Sequence, residues 1–426
     1  MMQAPPLYPE LLRVFGKIGL LSFGGPAAQI ALMHRVLVDE KRWLTEAEYL
    51  RALSFCMLLP GPEAMQLATY AGWKARGTPG GLLAGALFVL PGAAVVLALA
   101  MIYAAWGDVP GVQAVFRGVQ TAVVIIVIEA LLRVARRALK GRLAMAIAVL
   151  AFLALFAFDT PFPVVIALAG LAGALAASRR PPHGPDETAG FVPAGAAQTA
   201  RTVALWGGLW LIPLAGLIWL EGGLLAEIGL FFSQLAVVTF GGAYAVLAWM
   251  TQAVVEDKGW LTTAQMMDAL GLAETTPGPL ILVTEFVGYL AGFGAGGVAM
   301  GLAAAVVTLW MTFVPCFLWV FAGAPYVQAL TRAPRLSGAL EAITAAVVGV
   351  IGNLSVWFAL HVLFSRLSDR EFGPVTVPVP DLASLLPVPA LLTVLAGIML
   401  LRLHLGLVAT LVAAAAVSVG LAAVGL

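Results

Sequence analysis

The sequence predicts an all-α integral membrane protein built from two homologous halves, and three observations carry that prediction. Hydrophobic residues fill 62% of the 426 positions and charged residues only 11%, with a mean hydropathy of +1.00. A soluble domain carries about 25% charged residues because its surface must be solvated, so this chain has too little charge for a water-facing body. Apolar runs at 80–106, 143–158, 162–178, 202–220 and 403–425 reach or approach the ~17–25 residues that cross a bilayer as a helix. Finally, a set of motifs recurs at one constant spacing.

The apolar runs read as helices because backbone groups in lipid must be satisfied within their own segment, which open strands do not achieve. Phe23-Gly24-Gly25 returns as Phe240-Gly241-Gly242, Trp43-Leu44-Thr45 as Trp260-Leu261-Thr262, and Pro60-Gly61-Pro62 as Pro277-Gly278-Pro279, each 217 residues later. Asp39-Glu40-Lys41 faces Glu256-Asp257-Lys258 in the same way. Composite motifs at one ungapped spacing are a repeat, not a coincidence of apolar composition.

Each half reads as an apolar helix ending near a charged loop (34–45, 251–263), then a segment broken by Pro-Gly-Pro (46–75, 263–292). Long spans follow (80–106 and 112–134; 294–323 and 337–364), and two short ones close the half (143–158 and 162–178; 385–401 and 403–425). The expected divisions are a first repeat over 8–178, a linker over 179–201, an extra span over 202–222 and a second repeat over 223–426. The linker is rich in Pro, Gly and charge, the composition of a solvated connection. Counted as spanning, the broken segments give thirteen spans and inverted halves; counted as re-entrant, they give eleven and parallel halves. Arg133, Arg136, Arg137, Lys140 and Arg142 form the densest basic loop and are expected in the cytoplasm, with Arg179, Arg180 and Arg201. The inverted arrangement is the preferred one.

Several function classes are excluded or left without support. A net charge of +1 gives no sign of nucleic-acid binding. The N-terminal residues lack the apolar core and small-residue cleavage site of a secretory signal, so the first span is expected to direct insertion. Cys56 and Cys316, one per half in apolar surroundings, read as packed thiols. The histidines His34, His183, His361 and His404 are scattered, and no metal-ligand spacing or Walker loop appears. No metal, cofactor or enzymatic chemistry is expected.

The broken segments are where ligand chemistry is expected. Proline within a helix costs about 3 kcal/mol, and broken backbone at membrane depth is tolerated where it is buried in protein or lines a cavity. One Pro-Gly-Pro is a kink or a turn as readily as a site; two at matched positions favour a site formed by Pro60, Gly61, Pro62, Pro277, Gly278 and Pro279, with Thr276 beside it. A proline followed by a new helix start presents free N–H groups and the positive dipole end, which attract anions. The duplicated Gly24-Gly25 and Gly241-Gly242 allow either close packing or substrate-lining backbone. Glu63 follows Pro62 directly, while the residue 217 positions on is Leu280. An ionised Glu63 is stabilised by the dipole, and it would also compete with an incoming anion until protonated. Glu63 and Glu274 are therefore the expected coupling residues. Arg35 is the best placed fixed cation, although snorkelling to headgroups explains it equally well.

These residues carry a family pattern. SFGGPAAQIALMHR, RWLTEAEYLRALSFCMLLPGPEAMQLATYAGW and GALFVLPG resemble the N-terminal half of the chromate ion transporter family. TFGGAYAVLAWMTQ, GWLTTAQMMDALGLAETTPGPL, FVPCFLWVFAGAPY and AITAAVVGVIGNLSVWFALH resemble the C-terminal half of its two-domain members. The resemblance covers residues 12–136 and 225–364, with Ser54, Met65 and Glu285 standing where Asn, Gln and Gln are expected. It implies a multi-pass secondary transporter of the bacterial inner membrane that exports chromate and confers resistance, or else carries sulfate or another tetrahedral oxyanion. The implied partners are that oxyanion and membrane lipid, with a homodimer left open.

Overall fold

A computed structural model of the protein describes residues 6–23, 25–178, 195–220, 222–240, 242–373 and 375–425. The first half opens with α1 (Tyr8–Leu21), which ends at Ser22, and α2 (Gly25–His34), which runs on as a π-helical turn over Arg35–Glu40. Helix α3 (Glu46–Cys56) starts on a capping box in which Glu48 N–H donates to Thr45 Oγ1 and Thr45 N–H to Glu48 Oε2. Helix α4 (Glu63–Trp106) is two arms, because Arg76 and Gly77 leave helical backbone, Gly77 at φ +64°. Helices α5 (Pro110–Ala138), α6 (Arg142–Phe158) and α7 (Phe162–Ala177) complete the half.

After α8 (Ala196–Leu220) the same order returns. Helix α9 (Leu224–Val238) ends at Thr239, and α10 (Ala243–Gln252) continues as a π-helical turn over Ala253–Asp257. Helix α11 (Thr263–Thr275) follows Thr262, which repeats the reciprocal cap with Gln265. A 3₁₀ turn (Leu280–Leu282) leads into α12 (Val283–Gly323), broken in its turn at Gly296 and Gly297. The remaining helices are α13 (Val327–Arg332), α14 (Pro334–Leu363), α15 (Pro387–Gly397) and α16 (Leu407–Ala423). Strands β1 (Leu367–Phe372) and β2 (Val375–Pro380) pair antiparallel between α14 and α15. They are a local departure from the helical expectation, in a polar, β-branched and proline-bearing stretch outside the apolar runs.

The chain forms two compact units, one of Met1–Ala100, Ala174–Ala243 and Thr276–Gly338, the other of Met101–Gly173, Tyr244–Thr275 and Ala339–Leu426. In the first unit α1 and α2 fold back on each other: Lys41 Nζ lies 2.8 Å from Glu10 Oε1, and the Phe15 and Trp43 rings are 6.2 Å apart. A straight helix would set Glu10 and Lys41 about 45 Å apart. Helix α3 and the first arm of α4 do the same, with Glu48 and Lys74 paired at 2.5 Å and the Phe55 and Tyr70 rings 5.9 Å apart. Arg76 Nε donates to Pro6 O at 2.7 Å. Both broken segments of the first half are therefore re-entrant hairpins open on the same side, with Phe23 and Gly25 at one tip and Pro60-Gly61-Pro62 at the other.

The tips of the two halves are tied by a crossed pair of backbone bonds. Gly61 N–H donates to Thr239 O at 2.7 Å, and Gly278 N–H donates to Ser22 O at 2.9 Å. Donors and acceptors are each related by the 217-residue repeat. Cys56 and Cys316 are free and buried, as the composition suggests.

The second arms of α4 and α12 run antiparallel. A methyl on Gly81 would lie 2.6 Å from the Phe321 ring, and one on Gly85 would lie 2.6 Å from the Phe317 ring, so one arm climbs as the other descends. Within this unit the halves are thus related by inversion although their broken segments re-enter. The sequence reading tied re-entrance to parallel halves because it took the first helix as a span; α1 and α2 form a second hairpin, which restores the odd count.

The repeat offset also changes along the chain. Arg76 and Gly77 (φ/ψ −145/27 and 64/−160) match Gly296 and Gly297 (−157/23 and 70/−161), an offset of 220. The 3₁₀ turn over Leu280–Leu282 is the insertion. The counterpart of Glu63 at the helix start is therefore Val283 and not Leu280, and the second half still lacks a carboxylate there.

In the second unit α5 packs on α16 through Gly118, where a Cβ would meet Ala414 and Ala415 backbone, and Ser418 Oγ donates to Ala114 O at 2.6 Å. Ala122, Ile126, Ala396, Leu411 and Ala414 form its core cluster. Large apolar side chains on α8 face outward, with Trp219 92% and Leu220 85% exposed, a surface suited to lipid.

Gly61 (φ +123°) and Gly278 (φ +91°) occupy backbone that side chains rarely adopt, and a Cβ at Gly61 would meet Cys316 Sγ and Gln66 Nε2 at 2.8 Å. Gly61→Ala and Gly278→Ala are each expected to destabilise the protein by about 1–3 kcal/mol, read as a lower melting temperature in detergent. Gly16→Ala, with nothing within 4 Å of the added methyl, is expected to leave the melting temperature unchanged or raise it.

Candidate functional site

The hairpin tips converge on one small cavity in the first unit. It is lined by the first turn of α2 (Pro26, Gln29), the start of α4 (Pro62, Glu63, Ala64), the start of α10 (Gly242, Ala243) and the 3₁₀ turn before α12 (Pro279, Leu280, Ile281). Four chain segments enter helical structure here. Glycines make this convergence possible, with Gly25 at φ +77° and Gly242 at φ +102° in one repeat pair, Gly61 and Gly278 in the other. The first turns of helices carry N–H groups without intrahelical acceptors and the positive ends of the dipoles. Their convergence favours an anion or an acceptor oxygen.

Two glutamines hold the tips in shape. Gln29 Nε2 donates to Gly278 O at 2.7 Å and to Ser22 O at 3.3 Å, and Gln66 Nε2 donates to Pro60 O at 2.7 Å. Both side chains are buried, and the Oε1 of each has no hydrogen-bond partner among the described residues. Gln29 thus reinforces both ends of one crossed bond. The cavity holds about 20 Å³, room for roughly one water molecule. A tetrahedral oxyanion is several times larger, so this conformation is closed at the tips.

Of the residues expected from sequence, Pro62, Glu63, Gly242 and Pro279 line the cavity, and Gly61 and Gly278 make the crossed bonds. Pro60 supplies the carbonyl that Gln66 caps, Gly25 opens α2, and Pro277 packs its carbonyl against Gly92 in the second arm of α4. Thr276 is buried beside Pro277. Gly24 and Gly241 lie outside the described residues. Arg35 is exposed in the π-helical turn, at the other end of α2 from Gly25 and towards the mouth of its hairpin; it is not among the lining residues.

Glu274 belongs to the second unit, where it is buried and accepts a hydrogen bond from the Tyr244 phenol, with the Glu129–Arg133 pair of α5 nearby. Gln29 and Gln66 carry little signal in the sequence, each being a lone amide among mostly apolar neighbours. Asp268 is another residue the sequence does not single out; it is buried in the second unit and accepts from Tyr103 Oη at 2.8 Å and Gln120 Nε2 at 2.9 Å.

Broken helices from two repeated halves meeting at one small cavity are the arrangement of a multi-pass α-helical membrane transport protein. The chain belongs to the chromate transporter family, whose pattern matches residues 9–174 and 226–420. It is 34% identical to the chromate transport protein of Pseudomonas aeruginosa over 87% of this chain and 85% of that one. It is 32% identical to the probable chromate transport protein of Synechococcus elongatus (82% and 83% covered) and 31% identical to the chromate transport protein of Cupriavidus metallidurans (80% and 80%). No solved structure matches the chain. The family's members are transport proteins, and this chain is not an enzyme.

Replacing Gln29 with Leu removes the side-chain donor from Gly278 O while roughly keeping the side chain's size. Gln29→Leu is expected to cost about 1–3 kcal/mol, measured as a lowered melting temperature in detergent.

Proposed function

We propose that this protein exports chromate across the bacterial inner membrane as a secondary transporter, and so confers chromate resistance. The observation that carries the reading is the convergence of four helix starts from two halves on one cavity. In this reading the duplicated motif residues Gly24, Gly25, Pro60, Gly61, Pro62, Glu63, Gly241, Gly242, Thr276, Pro277, Gly278 and Pro279 supply the oxyanion path, and Arg35 attracts the anion at the hairpin mouth. The repeats are taken as 8–178 and 223–426, joined by the 179–201 linker and the 202–222 span. The family membership of the chain and the names of its relatives support chromate as the substrate.

Export agrees with the energetics. A membrane potential is worth about 2.3 kcal/mol per charge per 100 mV. A dianion leaving a negative interior gains roughly 4–5 kcal/mol at 100 mV, close to a thousandfold gradient, without ATP. In the closed conformation the Glu63 carboxylate lies where the anion would dock. Protonation removes that competition, and both Glu63 and Glu274 are proposed as coupling residues.

The test is uptake of radiolabelled chromate and sulfate into inverted membrane vesicles. Chromate accumulation that a lumen-positive potential stimulates is expected. Sulfate uptake with chromate acting only as a weak competitor would transfer the reading to sulfate. For Glu63→Gln, the chromate concentration giving half-maximal uptake is expected to lose its dependence on pH. An unchanged pH profile would remove Glu63 from the coupling role.

A further inference from the structure

A buried carboxylate stands one turn beyond the cavity, on the same chain segment as the lining residue Ile281. Glu285 is 1% exposed and its Oε2 has no hydrogen-bond partner among the described residues. It faces the second arm of α12. A Cβ on Gly288 would come within 3.0 Å of Thr308 Cβ, and one on Gly292 within 2.7 Å of Ala304 Cβ. The two arms are therefore antiparallel in a fixed register, which brings Glu285 opposite Met311 and Thr312. The hydroxyls of Thr308 and Thr312, 0% and 2% exposed, are also without partners among the described residues. Three orphan polar groups lie along one helical hairpin. The corresponding positions of the first half, at the 220-residue offset, are Met65, Phe88 and Gly92.

Native interiors leave few buried polar atoms unpaired, and each asks for a reason. An ionised carboxylate needs donors or a cation when taken out of water. Among the described residues no charged group is paired with Glu285. The titratable groups on the elements packed around the hairpin are Glu46, Glu48, Tyr49, Arg51 and Cys56 on α3, Glu63, Tyr70, Lys74 and Arg76 on the first arm of α4, Arg201 on α8, Glu227 on α9, and Tyr289 and Cys316 on α12 itself. None of them makes an ion pair or hydrogen bond with Glu285. The second arm of α4 adds none within this unit. A neutral acid lessens the difficulty, since burying an uncharged carboxyl costs far less than burying an unpaired carboxylate.

We propose that Glu285 is a proton-binding site of the transport cycle, loaded in this closed conformation. Opening of the α12 hairpin admits water and releases the proton, so that anion movement through the neighbouring cavity carries a proton with it. The coupling part of this inference rests on the transport reading above; the loading of Glu285 does not.

The test separates the two. Infrared spectroscopy of the detergent-purified protein at neutral pH, with no oxyanion present, is expected to show the carbonyl band of a protonated carboxylic acid. Glu285→Gln is expected to remove that band, while Glu285→Asp shifts it. A band unchanged in Glu285→Gln would overturn the proposal. Should that variant fail to fold, Glu285→Met, the residue carried by the counterpart position, serves the same measurement. In proteoliposomes loaded with a pH-sensitive dye, the ratio of protons to chromate moved is expected to fall at least tenfold in Glu285→Gln. An unchanged ratio, or transport that follows a sodium gradient and ignores pH, would also overturn the proposal. Vesicles that carry no chromate in the wild type would defeat the transport reading and leave the infrared result to decide Glu285.

Discussion

The structure turns on how backbone polar groups are satisfied where helices stop inside an apolar environment. Each half brings two helices to an end at its tips, and every such end leaves N–H and C=O groups without intrahelical partners. In lipid no water is available to take them. The protein meets the requirement reciprocally: Gly61 bonds to Thr239 and Gly278 to Ser22, each glycine using the helix end of the other half. The side chains of Ser22 and Thr239 turn back instead, donating to Ile18 O and Leu235 O, one turn earlier in their helices. Those carbonyls remain free to accept from across the repeat. The re-entrant hairpins, the closed cavity and the positive-φ glycines all follow from this arrangement.

Much of this was legible in the sequence, for definite physical reasons. Composition and run length identify a membrane protein because lipid selects against charge. The repeat is visible because both halves need glycine and proline at positions where other residues are strained. The fold-back of α1 onto α2 was not visible. Phe-Gly-Gly is compatible with a packed helix, and the Glu10–Lys41 pair that reveals the hairpin joins two ordinary surface charges. The crossed bonds were beyond reach because the donor and acceptor are backbone groups far apart in the chain. The distance of Arg35 from the tips was not visible either, because a hairpin carries a residue ten positions on towards its mouth.

The two halves have diverged where chemistry is placed. The first half keeps Glu63 at its helix start and both glutamines that cap the tips. The second inserts the Leu280–Leu282 turn and carries Glu285 in place of the first half's Met65. Backbone symmetry is therefore preserved while side-chain symmetry is not. This separates what shapes the tips from what sits beside the path.

Helix α8 has no counterpart in the repeat, and the inversion gives it a purpose that its residues do not advertise. Because the second arms of α4 and α12 run antiparallel, the chain from the start of the one to the start of the other must cross the layer an odd number of times. The second arm of α4 with α5, α6 and α7 makes four apolar helices, and four crossings return a chain to the side it left. One more crossing is needed before a second copy of the same half can enter upside down. Helix α8 thus acts as a parity element: what matters is that it crosses, so its lipid-facing residues, Trp219 and Leu220 among them, answer to hydrophobicity and length more than to identity.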